Sequence, residues 1–92
     1  MELKDKRVVV TGGGTGIGRG VALAFAAEGS RVVVCGRREE PLLETASAHS
    51  GENSILSMSC DVADRESTGR FFSWVEETLG GIDIIVINAG IN

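Results

Sequence analysis

Ninety-two residues, 42% of them hydrophobic and 24% charged, describe one small globular domain and exclude both a multi-domain assembly and a disordered chain. Nine basic against 13 acidic residues leave a net charge of −4, which argues against a nucleic-acid binder working through a broad basic field. No stretch approaches the roughly 18 apolar residues that cross a bilayer, so no membrane partner is expected either.

The charged start Met1–Arg7 leads straight into a strand and lacks the pattern of a secretory signal. Val8-Val9-Val10, bounded by charge before and glycine after, predicts a buried strand. From Gly16 the period changes: Ile17, Val21, Ala24 and Phe25 recur at helical spacing, and Gly29 closes the helix. Val32–Cys35 predicts a second strand. Glu39-Glu40-Pro41 opens a second helix, with acids and proline where the dipole and the absent N–H favour them. Ile55–Met58 is a weaker third strand. Asp64 caps a third helix, with Phe71, Phe72, Val75 and Leu79 on its apolar face and Gly80-Gly81 at its end. Ile82–Ile87 predicts a fourth strand, apolar on both faces apart from Asp83. Trp74 and His49 are expected on helices, as packing and solvent-facing residues.

The order is β-α-β-α-β-α-β with short connections. Apolar strands alternating with helices imply an α/β fold with a parallel sheet covered on both sides, and right-handed crossovers make it half of a doubly wound fold. The two cysteines, Cys35 and Cys60, have no metal-ligand spacing and one histidine for company. No metal site is expected, and reduced thiols in a cytoplasmic protein are the simplest account.

The chemistry lies between the first strand and the first helix, in Thr11-Gly12-Gly13-Gly14-Thr15-Gly16-Ile17-Gly18. A helix N-terminus offers unpaired N–H groups and the positive end of the dipole, and glycine lets a pyrophosphate approach without a Cβ in the way. A P-loop needs Lys-Ser or Lys-Thr after Gly18, where Arg19-Gly20 stand, and G-x-G-x-x-G fits no frame of the loop. The pattern that fits is T-G-x-x-x-G-x-G, from Thr11, Gly12, Gly16 and Gly18. Its place inside a βαβ unit of about thirty residues favours nucleotide binding over a bare turn.

Thr11 to Gly18, then Asp61-Val62, then Asn88-Ala89-Gly90 at these spacings closely resemble the short-chain dehydrogenase/reductase family. The run Thr11 to Leu42 looks most like the branch holding 3-oxoacyl-carrier-protein reductases and 2,4-dienoyl-CoA reductases. The resemblance covers the whole chain. It implies a Rossmann fold with strand order 3-2-1-4 and a nicotinamide dinucleotide cofactor. Gly12, Gly14, Thr15, Gly16, Ile17 and Gly18 are then the loop residues at the cofactor. Asp61 is implied to accept from the adenine amino group, Val62 to line the same pocket, and Asn88-Ala89-Gly90 to meet the cofactor after strand four. Ile87 stands where the family usually has an Asn, which puts the hydrogen bonding of that corner in question.

Such folds choose between NAD and NADP at the end of the second strand, where an acid takes a ribose 2′-OH and a base takes a 2′-phosphate. Here that strand ends Cys35-Gly36-Arg37-Arg38. The acid of NAD-type relatives would fall at Gly36 and is absent, and Arg37, with Arg38 beside it, can receive a phosphate bidentately. The expectation is NADP, with NAD the less favoured cofactor.

The family transfers hydride with a Ser, a Tyr and a Lys, the last two in a Tyr-x-x-x-Lys motif. This sequence has no tyrosine, so no catalytic residue is assigned and residues 1–92 read as an incomplete, N-terminal dinucleotide-binding part. A small-molecule substrate is then expected only in a full-length form. The alternative is a truncated, non-catalytic module that binds NADP or docks on a partner. In either case the fourth strand is expected to be an apolar edge that promotes self-association.

Overall fold

Val8, Val9 and Val10 are each fully buried, which only a strand covered on both faces allows. In a computed structural model, which describes residues 2–88, they form the middle of β1 (Arg7–Thr11). There follow α1 (Gly16–Ala27), β2 (Arg31–Gly36), α2 (Glu39–Ser47), β3 (Leu56–Ser59), α3 (Arg65–Leu79) and β4 (Ile84–Ile87). The four strands make one sheet in the order β3-β2-β1-β4, every pair parallel. Val8 stands level with Val32 on one side and with Ile84 on the other.

Alternation along the strands divides the core in two. Val8, Val10, Val32 and Val34 face α1 and α2, where they pack with Ala22, Ala26 and Leu42. Val9, Val33 and Cys35 face the opposite way, onto Phe71, Val75 and Leu79 of α3. Helix ends follow local chemistry. Gly29, at φ +88°, lets its N–H reach Ala26 O at 3.0 Å while Ser30 N–H reaches Phe25 O at 3.2 Å, a Schellman closure of α1. The Asp64 carboxylate accepts Glu66 N–H at 3.1 Å to start α3, and Gly80, left-handed at φ +81°, stops it.

The structure departs from the sequence reading at three places. Ile55 is not in the third strand: pairing with β2 begins with Val33 against Leu56, and Ile55, one residue earlier, is buried on the α1–α2 side without a ladder partner. The fourth strand begins at Ile84, since Asp83 is taken up by Arg7 and Ile82 packs on the α3 side. His49 is not helical: Ala48 N–H closes α2 onto Glu44 O and Thr45 O, and His49 Nε2 accepts the N–H of Gly51 in the loop beyond. Trp74 does lie on α3, half-buried near the Phe71 ring.

Among the described residues β4 is an edge strand. Its Ile84 and Val86 are half-buried on the α1 side, whereas Ile85 and Ile87, on the α3 side, are 47% and 79% exposed. Among the described residues no helix is long and apolar enough to cross a membrane.

Candidate functional site

The C-terminal ends of parallel strands are where open α/β sheets carry their sites. At the end of β1 the chain turns over the end of β2, with Gly12 N–H and Gly13 N–H both donating to Cys35 O, at 2.8 and 3.2 Å. Gly12 and Gly16 take φ of +66° and +57°, a region that side chains strain to reach. Gly18 has ordinary φ but sits so close to Gly12 that a Cβ would strike the Gly12 carbonyl.

Gly13 and Gly14, the free positions of the sequence pattern, are glycine for packing. A Cβ on Gly13 would stand 2.6 Å from the Val34 side chain, and one on Gly14 would stand 2.9 Å from Pro41 Cβ. Gly14 is buried and its carbonyl turns inward, so it shapes the loop from behind.

The start of α1 is left open. Its N-cap, Thr15, is extended and exposed, its hydroxyl makes no capping bond, and the first turn holds no acid. The first-turn N–H groups therefore keep their positive end for another acceptor. By contrast α2 carries Glu39 and Glu40 in its first turn, and α3 is capped by Asp64.

Each neighbouring strand adds residues at the same edge of the sheet. After β2 come Arg37 and Arg38, both exposed, and Arg38 is the extended N-cap of α2. Among the described residues neither forms an ion pair. After β3, Asp61 is half-buried. Its Oδ1 accepts Ala63 N–H at 3.0 Å and its own N–H donates to Ser67 Oγ, which fixes the carboxylate in a tight local turn. After β4, Asn88 N–H donates to Thr11 Oγ1 at 3.0 Å and its amide donates to Gly12 O at 3.2 Å. The corner is thus held with Ile87 in place, and Asn88 binds the end of β4 to the glycine loop. Ala89 and Gly90 lie outside the described residues. Ile17 and Val62, 77% and 60% exposed, are apolar side chains held in solvent on this rim.

The Cys35 thiol supplies no nucleophile here. Cys35 is fully buried, and burial, reinforced by Cys60, pushes its thiol up to about 12. Among the described residues no three His, Cys, Asp or Glu side chains gather to hold a metal.

Two further residues, unmarked by motif, support the loop. Thr45 of α2, fully buried, places its hydroxyl 2.8 Å from Gly13 O and 3.2 Å from Gly14 O and Pro41 O. Arg19 of α1 donates from Nε to that hydroxyl at 3.0 Å and from Nη2 to Gly14 O at 2.6 Å. Only tertiary proximity reveals them, since Thr45 lies 31 residues from Gly14.

Residues 6–92 match the family described as short chain dehydrogenase. The chain belongs to that family. An uncharacterized oxidoreductase of Staphylococcus aureus is 38% identical to this short-chain dehydrogenase sequence over 88 residues, which is 96% of this chain and 38% of the relative. The (+)-cis,cis-nepetalactol synthase of Nepeta racemosa is 34% identical over 90 residues, 98% of this chain and 33% of that enzyme. Among solved structures, a short-chain type dehydrogenase/reductase from Mycobacterium marinum superposes with a TM-score of 0.92 at 40% identity, over 98% of this chain and 37% of its own. A short chain dehydrogenase from Burkholderia cenocepacia, solved in complex with NADP, superposes with a TM-score of 0.90 at 32% identity, over 99% of this chain and 38% of its own. The chain therefore spans less than two-fifths of these short-chain dehydrogenase relatives.

Proposed function

We propose that this chain is the cofactor-binding segment of an NADP-dependent oxidoreductase, one that passes hydride to or from a carbonyl, hydroxyl or enoyl substrate. The observation that carries the reading is the uncapped, acid-free start of α1, framed by glycines that a Cβ would disrupt and flanked by the exposed arginines at the end of β2. When bound, the nicotinamide ring supplies or accepts the hydride.

This chain's own residues do the holding. Backbone N–H groups between Thr15 and Gly18 receive the pyrophosphate, and Gly12 leaves it room. Arg37, with Arg38 beside it, takes the ribose 2′-phosphate; Asp61 accepts from the adenine amino group, and Val62 covers the ring. Asn88 closes the pocket from β4, and the family resemblance gives Ala89 and Gly90 a part in the same cofactor contact. The run Thr11–Leu42 supports a place near the 3-oxoacyl-carrier-protein and 2,4-dienoyl-CoA reductases, in a cytoplasmic protein.

Titration of NADP and NAD against the wild type and Arg37→Asp tests the assignment. A charge-assisted hydrogen bond contributes roughly 1.5–3 kcal/mol, so the variant is expected to lose about ten- to a hundred-fold in NADP affinity and to turn toward NAD. Equal affinities in the two proteins would refute it.

A further inference from the structure

We infer that Arg19 and Thr45 are positioning residues, a brace that holds the glycine loop and the start of α2 as one body and so sets pyrophosphate recognition against 2′-phosphate recognition. The inference rests on the dinucleotide reading above. Thr45 has one hydroxyl proton, and the nearest acceptor is Gly13 O, while its oxygen accepts from Arg19 Nε. The Arg19 guanidinium reaches across the same gap: Nη2, with two hydrogens, donates to Gly14 O and shares its bonding between Pro41 O at 3.3 Å and Glu44 Oε1 at 3.2 Å. Gly13 and Gly14 belong to the loop, whereas Pro41 and Glu44 belong to α2, whose N-cap is Arg38. Pro41 also touches the bare Cα side of Gly14. No slack separates the loop from the turn that carries the arginines.

The brace orients as well as spaces. In a planar trans peptide the C=O and the following N–H point in opposite directions, and the described chain has no cis bond. Drawing Gly13 O and Gly14 O toward Thr45 and Arg19 therefore turns the N–H groups of Gly14 and Thr15 away from the protein, toward the space where an anion at α1 would lie. A threonine hydroxyl on one helix and a guanidinium on another thus decide which way a loop with little conformational restraint of its own presents its donors.

The test uses the natural protein with Thr45→Val, which keeps the volume and removes the hydroxyl, Thr45→Ser, which keeps the hydroxyl, and Arg19→Gln, at a half-exposed side chain that tolerates change. Two readouts are taken: NADP and NAD affinities, and the NMR order parameters of the Gly14 and Thr15 amides without cofactor. Thr45→Val and Arg19→Gln are expected to lower both order parameters and to weaken NADP about tenfold, the scale of one lost hydrogen bond, and NAD by less. Thr45→Ser is expected to keep both at the wild-type level. A merely structural role would lower the melting temperature without moving the NADP-to-NAD ratio, and that outcome overturns the inference. So do unchanged order parameters in both Thr45→Val and Arg19→Gln. A wild type that binds neither dinucleotide would refute the cofactor reading instead, and the order parameters would still decide on the brace.

Discussion

Arg7 and Asp83 stand 76 positions apart and close on each other with side chain and backbone at once. Arg7 Nε and its backbone N–H donate to Asp83 Oδ2 at 3.0 and 2.9 Å, Nη2 donates to Oδ1 at 3.0 Å, and Asp83 N–H returns a bond to Arg7 O at 2.8 Å. Nη1 reaches Gly80 O at 3.0 Å, so the start of β1 is tied to both the end of α3 and the entry to β4. The pair sets the level at which β4 joins the sheet.

The Arg7 side chain, followed by its N–H, holds the Asp83 carboxyl well below the usual carboxylate range, against the opposing effect of burial. A depressed folded value stabilises the native state fully above the unfolded value, about 3.9, and is lost as pH falls toward the folded value. Asp83→Asn is therefore expected to melt lower than wild type at pH 7, with a gap that stays constant down to about pH 4 and narrows below it. Melting temperature measured against pH checks this, and a gap that widens in acid would refute it.

Gly16 and Gly18 are expected to fail differently. A Cβ on Gly16 meets nothing, so Gly16→Ala carries only the strain of a left-handed backbone, about 1 kcal/mol, and should fold. Gly18→Ala must push the Gly12 carbonyl aside and is expected to lose about 3 kcal/mol, together with dinucleotide binding. Urea unfolding and cofactor titration of the two variants make the comparison, and equal losses would contradict the crowding argument.

Cys35 is expected to resist alkylation in the folded protein at pH 8 and to react once urea unfolds it, as mass spectrometry of iodoacetamide adducts would show. The folded thiol is raised to about 12, so its contribution is complete below the unfolded value, about 8.5, and is lost as pH climbs from there toward 12. Stability should fall across that alkaline window and fall less in Cys35→Ala.

Ile85 and Ile87 leave an apolar stripe on the α3 side of the edge strand. Expressed by themselves, the 92 residues are expected to associate, and replacing both isoleucines by lysine should shift the population toward monomer. Sedimentation velocity distinguishes the two. Identical distributions would remove the stripe from consideration.

The four strands and three helices were legible because each carries its own signal, whether a buried valine run, an apolar helical face or a stopping glycine. Boundaries were less so where a residue answers to the tertiary fold. Ile55 looks like strand and is buried like one, yet pairing with β2 begins one residue later, at Leu56. Asp83 looks like an interruption in β4 and is a partner for Arg7. The site showed the same division. The glycine pattern and Arg37 announced themselves by position after strands, whereas Asp61 and Asn88 were marked by the family resemblance. Thr45, an ordinary helical residue in sequence, gains its place only when α2 lies against the loop. Gly13 stood as a free position and Gly14 only as a loop residue at the cofactor, because Val34 and Pro41, which forbid a side chain there, are distant along the chain.

β1 lies inside the sheet, but only one of its flanks is supplied early. A chain made from its N-terminus can close β1 onto β2 soon after Gly36 emerges, whereas Asp83 and β4 follow Arg7 by 76 residues. At roughly 5–20 residues per second, the other flank of Val8–Val10 waits roughly 4–15 s for its neighbour. During that interval it is an unpaired strand edge among other nascent chains. The pace of translation between Ser59 and Ile84 therefore bears directly on how much of this protein reaches its native form, and slow codons in that stretch should lower the yield.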